Sequence, residues 1–328
     1  MSGYRAPIAD MIFAMTELAG LARVAELPGA EAAAPDIVAP VLEEAGKFAR
    51  EVLAPLNAPG DRAGSRLENG IVRTPAGFQD AYRRFVAGGW NAVPFEPEFG
   101  GQGVPWLVAT AVQEMWQSAN LSFGLCPLLT QATVELLQAH GSPEQKRRYL
   151  ARLVAGVWTG SMNLTESQAG SDVGAVRTRA LAANGQWRIT GQKIFITYGE
   201  HDLAENIVHM VLARLPDAPA GAKGISLFIV PKFLPGPDGG PGQRNDLRCV
   251  SLEHKLGIHA SPTCVMAFGD SGGATGWLVG EENRGMACMF TMMNNARLSV
   301  GIQGLAVAER AYQAAVAYAK ARVQGRPI

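Results

Sequence analysis

The chain has 328 residues, 48% of them hydrophobic and 18% charged, and its 29 basic and 29 acidic side chains cancel to a formal net charge of zero. That length corresponds to about two or three domains. The apolar fraction excludes a disordered chain, and the balanced charge gives no general pull towards nucleic acid or an anionic membrane. No run of about 18 apolar residues is present, so no spanning helix is predicted. The first twenty residues include Asp10 and Glu17 and lack a basic stretch ahead of a clean apolar one, so they do not read as a secretory signal. Cys126, Cys249, Cys264 and Cys288 lie far apart with no C-x-x-C, which argues against a disulfide framework and a zinc site. His140, His201, His209, His254 and His259 form no helical i, i+4 pair with an intervening acid, so no metal site is expected. Together these features predict a reduced, cytoplasmic protein.

The first half reads as helices. Ile37, Val38, Val41, Leu42, Ala45, Phe48, Val52 and Leu53 recur every three or four residues, with Asp36 as a candidate cap and Pro55 as a stop. Further helices are predicted over Phe78–Val86, Trp106–Trp116, Leu128–Ala139 and Pro143–Val154, the last opened by Ser142 as cap and Pro143 at the first helical position. From about Val157 to Leu278 the runs become short and β-rich: Arg177–Leu181, Gln186–Thr190, Lys193–Thr197, Asn206–Ala213, Gly224–Val230 and Cys264–Phe268. Asn184-Gly185 is a strong hairpin cue. Many short strands with few helices between them predict an antiparallel barrel or sandwich, not βαβ units. After Glu281 the pattern is helical again. Leu298, Ile302, Leu305, Ala308, Tyr312, Val316, Ala319 and Val323 fall on one stripe, and a single helix from about Met286 to Val323 would be roughly 55 Å long at about 1.5 Å per residue. Such a stripe needs a cover. Either a second subunit supplies it or the chain, which stops at Arg326-Pro327-Ile328, is the front part of a longer protein; the latter is the expectation.

Three segments have the residue types for chemistry. Met162-Asn163-Leu164-Thr165-Glu166-Ser167-Gln168-Ala169-Gly170-Ser171-Asp172 is the densest polar constellation: Gly170 permits close backbone approach, and the Thr165 and Ser171 hydroxyls can hold an anionic or heteroaromatic ligand. On composition alone an ordinary Asx or Ser turn with a glycine is the better account. In Lys193-Ile194-Phe195-Ile196-Thr197-Tyr198-Gly199, alternation puts Phe195 and Thr197 on one face, a ring and a hydroxyl that can stack on and hydrogen-bond a flat ligand, although a half-buried strand explains the pattern equally well. Asn294-Asn295-Ala296-Arg297 on the long helix marks either a ligand face or the solvated side of an amphipathic helix. No Walker A or G-x-G-x-x-G phosphate loop is present.

Taken in order and spacing, these segments resemble the acyl-CoA dehydrogenase family of flavoenzymes. Leu164-Thr165-Glu166 with Gly170-Ser171-Asp172 is similar to its T-E-x-x-x-G-S-D segment, and Gly191 to Thr197 to its G-x-K-x-[WFY]-I-[TS] strand. Gly224 to Pro231 is similar to G-x-[ST]-x-F-x-V, Glu253 to Thr263 to E-x-K-x-G-x-x-x-S-x-T, and Gly280 to Gly285 to the turn into the long helix. Tyr4-Arg5-Ala6-Pro7 with Asp10-Met11, and Arg322-Val323-Gln324-Gly325, are most similar to the larger bacterial branch, which includes methylthiopropionyl-CoA dehydrogenase-type enzymes and a DNA-damage-associated relative.

The resemblance implies an α+β multidomain fold: an N-terminal extension (1–34), a helical domain (35–157), a middle antiparallel β-barrel (158–279) and the first long helix of a C-terminal four-helix bundle (280–328). It implies FAD between barrel and bundle, held by Met162, Leu164, Thr165, Gly170, Ser171, Phe195, Ile196 and Thr197, with Arg322 and Gln324 reaching the FAD of a neighbouring subunit. Ser171, Asn294 and Arg297 are implied at the CoA thioester. The reaction implied is removal of an α-proton with hydride transfer from the β-carbon to the flavin. That reaction needs a carboxylate base. The family's usual glutamate is expected beyond Ile328, and the alternative position on the long helix holds Ala296, so no catalytic base is expected in this chain. Two smaller departures are Ser167, where many members have proline, and Phe195, where tryptophan is common. An electron-transferring flavoprotein is the implied electron acceptor and a homodimer or dimer of dimers the implied assembly, without membrane or nucleic acid. The alternatives are an acyl-CoA oxidase, a non-catalytic or DNA-damage-associated flavoprotein of the same fold, or an inert fragment.

Overall fold

The computed structural model describes residues 3–326; Pro327 and Ile328, on which the expectation of a longer chain falls, lie outside the described residues. The first half is helical: α1 (Ile8–Phe13), α2 (Leu21–Ala25), α3 (Pro35–Phe48) and α4 (Ala54–Ala63), a hairpin of β1 (Arg66–Glu68) and β2 (Ile71–Arg73), then α5 (Phe78–Ala87), α6 (Trp106–Ala119), α7 (Leu121–His140) and α8 (Pro143–Val154). The α3 stripe is buried at Val38, Leu42, Ala45 and Phe48, as its period predicts. Two local details differ from the sequence expectation. Ala34 occupies the cap position of α3 with Pro35 opening the helix, so Asp36 sits inside the first turn. Pro55 does not stop the chain: a wide π turn, Ala49–Leu53, carries α3 into α4 with helical backbone throughout, and Pro55 falls just past the widened turn. α8 opens on a complete capping box, with Ser142 Oγ accepting from the Gln145 N–H at 3.2 Å and the Ser142 N–H donating to Gln145 Oε1 at 2.9 Å.

The middle of the chain supplies an eight-stranded sheet from β3 (Trp158–Asn163), β4 (Arg179–Ala183), β5 (Gln186–Thr197), β6 (Asn206–Arg214), β7 (Ile225–Pro231), β10 (Leu247–Leu252), β11 (Thr263–Phe268) and β12 (Ala274–Val279), with β8 (Phe233–Pro235) and β9 (Pro241–Arg244) as a separate hairpin. The order is β10-β11-β5-β12-β7-β6-β3, and β4 pairs with both β5 and β6. The pairings β5-β12-β7-β6-β4-β5 therefore form a circuit, its β4–β6 link being the single pair Arg179–Arg214. The sheet is antiparallel except where β3, and that one β4 pair, run parallel to β6. Asn184 and Gly185 turn β4 into β5 with φ of 52° and 76°, the left-handed pair that a two-residue hairpin requires. Val211, Ala213, Phe228, Val230 and Ile189 fill the inside of this sheet.

The last element, α9 (Gly285–Ala321), is one helix of 37 residues. It starts pressed onto β7: a Cβ at Gly285 would lie 2.4 Å from the Ser226 carbonyl carbon, so only glycine fits. Cys288, Met289, Met292, Asn295, Ser299 and Ala306 face the rest of the molecule. Ser299 donates to Gln113 of α6 at 3.0 Å, Gln113 to Gln131 of α7 at 2.6 Å, and Gln131 to the Asn91 carbonyl at 3.2 Å, a buried polar ladder that fixes the register of three helices. The stripe read from the sequence is another one, and this chain leaves it open: Leu298, Leu305 and Tyr312 are 57%, 57% and 65% exposed.

Candidate active site

β3 delivers Met162 and Leu164 half-buried onto the core shared by α7 and the first half of α9, where Met286, Met293 and Ala296 also pack. Gly160 makes this close approach possible, since a Cβ there would meet Thr133 Oγ1 of α7 at 2.1 Å. The chain then turns tightly, Glu166 and Ala169 exchanging N–H···O bonds of 3.0 Å in both directions, and leaves Gly170 and Ser171 exposed beyond the turn.

A carboxylate holds this loop in place. Glu166 is 5% exposed and accepts from Lys193 Nζ at 2.8 Å, from Thr178 Oγ1 at 2.6 Å, and from the N–H groups of Arg177 and Thr178 at 2.8 and 3.0 Å. Lys193, fully buried, also donates to the Leu164 carbonyl at 2.9 Å. Burial alone would raise the Glu166 carboxyl, but the Lys193 charge and these donors outweigh it and hold it at about 2. Burial lowers Lys193 to about 8 against the opposing pull of Glu166. Both residues lie inside the motifs read from the sequence but were not among the expected site residues. An acid and a lysine within the two motifs were the signal that could have found them.

β5 is bound to the same loop by the Ile194 N–H donating to the Thr165 carbonyl at 2.9 Å. Here simple alternation fails. Cys264 of β11 pairs with Ile196 and Met266 with Lys193, so two residues of β5, Ile194 and Phe195, oppose the single Val265. In this β-bulge Phe195 takes a left-handed backbone, φ 60°, and its ring stands 57% exposed. Ile196 is buried in the sheet interior and Thr197 is half-buried. Among the described residues, the hydroxyls of Thr165, Ser171 and Thr197 have no hydrogen-bond partner, and a Cβ added at Gly170 would meet only Thr165 Cγ2, at 4.0 Å. The structure thus brings an exposed ring, uncommitted hydroxyls and open space at a glycine to one loop and strand, beside the start of α9.

On α9, Asn294 and Arg297 lie on the exposed side, and the Arg297 guanidinium sits over the Phe290 ring at 5.3 Å. Ala296 turns inward and carries no acid. Arg322 and Gln324 are not brought to this place. They hydrogen-bond each other at 3.1 Å beyond the far end of α9, about 37 Å further along the helix than Arg297 at about 1.5 Å per residue.

Comparison with known proteins bears directly on this arrangement. Residues 40–157 match the family model for the acyl-CoA dehydrogenase N-terminal domain, 161–271 the middle domain and 283–328 the C-terminal domain. The chain belongs to the acyl-CoA dehydrogenase family. It is 52% identical over 326 residues to the 3-methylmercaptopropionyl-CoA dehydrogenase of Ruegeria pomeroyi, an overlap of 99% of this chain and 55% of that protein. It is 40% identical to a butyryl-CoA dehydrogenase of Syntrophomonas wolfei, over 85% of this chain and 47% of that one. The chain spans about half the length of the curated relatives it matches. Among solved structures, the butyryl-CoA dehydrogenase of Megasphaera elsdenii superposes with a TM-score of 0.74 at 26% identity, covering 89% of this chain and 71% of that one. A chain solved in work on the electron transferring flavoprotein of Acidaminococcus fermentans gives 0.72 at 28% identity, covering 88% and 69%. The acyl-CoA dehydrogenase fold, with a helical first domain, a middle β domain and a following long helix, is the one seen here.

Proposed function

We propose that this chain forms the flavin-binding and thioester-binding portion of an FAD-dependent acyl-CoA dehydrogenase, dividing at 34/35, 157/158 and 279/280. The observation that carries this reading is the Phe195 bulge: an aromatic ring held out in a left-handed backbone beside the uncommitted hydroxyls of Thr165 and Thr197. An exposed flat ring flanked by hydrogen-bond donors suits a planar heteroaromatic group, so the residues present fit a flavin. FAD, when bound, accepts the hydride from the β-carbon of the substrate. Phe195 would give its ring a stacking surface, Thr197 and Thr165 would donate to its polar edge, and Met162 and Leu164 would exclude water from the site, with Ile196 backing the strand from inside the sheet. Gly170 lets the loop approach closely, and Ser171, with Asn294 and Arg297, orients the CoA thioester. Arg322 and Gln324 then serve a second subunit's cofactor, which suits their position at the far end of α9 and implies a homo-oligomer.

Removal of the α-proton needs a carboxylate, and position 296 holds alanine. The proton acceptor in this reading comes from a later part of the whole enzyme. Electron-transferring flavoprotein is the proposed acceptor, supported by the kind of study in which one structural match was solved. The cytoplasmic setting rests on four free cysteines. The named relatives are dehydrogenases, which leaves the oxidase and DNA-associated alternatives without support. The test is anaerobic mixing of FAD-loaded chain with butyryl-CoA. The flavin colour is expected to persist in this chain and to bleach in Ala296→Glu, which places a carboxylate at the alternative position. Bleaching of the unaltered chain contradicts the missing base, and absence of any acyl-CoA effect on the spectrum of either protein contradicts the dehydrogenase reading.

A further inference from the structure

The motif near the start of the chain, Tyr4-Arg5-Ala6-Pro7, takes no part in the flavin and thioester site. It forms a strap over the far half of α9. The Arg5 N–H donates to Gln313 Oε1 at 3.0 Å, and Gln313 Nε2 donates back to the Arg5 carbonyl at 2.7 Å, so one side-chain amide clamps the strap to the helix. Tyr4 is 5% exposed and belongs to the core that α3 and α6 build. Beside this strap lies an open cavity of about 410 Å³. The elements around it meet through small side chains: Gly3 of the strap, Ala54 and Ala58 of α4, Ala119 at the end of α6 and Ala314 of α9. Elements packed face to face normally fill the space between them; here alanines leave it open.

No residue lining this cavity is acidic, and its two cations are not equivalent. Arg50 is exposed and paired with Glu51 at 2.7 Å. Arg310 of α9 is half-buried, and its Nη1, shut off from solvent, has no hydrogen-bond partner among the described residues. The adjacent acid, Glu309, accepts from Gln313 Nε2 at 2.8 Å instead. Gln313 is itself fully committed, to Glu309 and to the strap. A partly buried guanidinium left without a partner is costly, and an anion that pairs with it recovers that cost. One guanidinium presents a planar fork that matches one carboxylate. The alanines and Pro55 give the rest of the cavity an aliphatic wall, which suits an apolar body and not a strongly hydrated inorganic ion.

We propose that this cavity is a binding site for a short-chain organic carboxylate, its carboxylate on Arg310 and its aliphatic body against the alanines of α4, α6 and α9. The site joins the strap to the far half of α9 and stands independently of the flavin and thioester reading. It is tested by calorimetric titration of the full chain, at constant ionic strength, with butyrate, with butyramide and with inorganic phosphate. Butyrate is expected to bind. Butyramide, which has the shape without the charge, and phosphate, which has the charge without the aliphatic body, should bind about tenfold more weakly or less, the scale of a lost charge-assisted hydrogen bond. Arg310→Gln should weaken butyrate by about the same factor. Ala58→Leu, at an exposed position of α4, fills the cavity and leaves Arg310 in place, and it should weaken butyrate too. Arg147→Ala, an exposed arginine on α8, should change nothing. A ligand that binds only the folded chain raises its melting temperature, so saturating butyrate should do so in the parent and not in Arg310→Gln. No butyrate binding by the folded parent chain overturns the proposal. Equal binding by the parent, Arg310→Gln and Ala58→Leu overturns the location, since butyrate is then held elsewhere. Butyramide bound as tightly as butyrate, or phosphate bound more tightly, overturns the ligand class.

Discussion

Glu166 and Lys193 place opposite charges in the protein interior to keep one loop in shape. Breaking such a pair by removing one partner leaves an uncompensated buried charge and costs about 3–5 kcal/mol. Glu166→Gln is therefore expected to lower stability on that scale in urea denaturation at neutral pH, and a change within about 0.5 kcal/mol, typical of a surface substitution, would contradict it. The same carboxyl makes stability depend on acid. It titrates near 4.5 in the unfolded chain and near 2 in the folded one, so its stabilisation is complete above about 4.5 and is lost as pH falls towards 2. His201 and His209 act over a higher window. Burial, reinforced by the Lys232 charge, holds both neutral, lowered from 6.5 to about 3. The unfolded chain takes up those protons first, so stability falls as pH drops below about 6.5. The slope of urea midpoint against pH should lose its upper part in His201→Gln/His209→Gln and its lower part in Glu166→Gln; unchanged slopes would mean that these groups do not titrate as described. None of this was legible at single positions, since burial and pairing are properties of the folded chain. Thr165, Ser171 and Thr197 were singled out by motif resemblance, since composition alone favoured an ordinary turn for the first two and left the third even.

At the scale of the element, local chemistry was read well and non-local chemistry was not. The Ser142 cap of α8 and the Asn184-Gly185 hairpin are decided by neighbouring residues, and both stand as expected. β6 and β7 are buried on both faces and show up as apolar runs. β10 and β12 were missed because their residues neither alternate cleanly nor run apolar, and their partners on β11, β5 and β7 decide them. The bulge at Ile194–Phe195 was invisible, since alternation reads the same whether or not one extra residue is inserted. That bulge carries a prediction. A phenylalanine in the left-handed region is strained by about 1–2 kcal/mol, and Phe195 regains little by burial. Phe195→Gly should leave folding stability unchanged or raise it by up to about 1 kcal/mol while weakening flavin binding. A loss of stability with undiminished flavin affinity would show that the ring serves the core instead.

For the molecule as a whole, α9 has two apolar faces, and one of them packs. Cys288, Met289, Met292 and Ala306 close onto α6, α7 and β7, whereas Leu298, Leu305, Tyr312 and Tyr318 stand in the open. Periodicity picked out the stripe that stands open, whose cover was expected from outside this chain, and the packed face shows only in the folded chain. An uncovered stripe of this size marks an interaction surface, in keeping with a chain that spans about half of its relatives. The candidate site is proposed to form within this chain, from the 162–172 loop and the first turns of α9, which share one core, and from the β5 bulge, whose Ile196 packs in the neighbouring one. The visible absorption spectrum of the full chain, loaded with FAD and then desalted, is the most direct test of that. A flavin band near one equivalent per chain, lost in Phe195→Ala, is expected. A colourless protein that is folded by circular dichroism would contradict it, and would mean that loop, strand and helix do not by themselves make a flavin site.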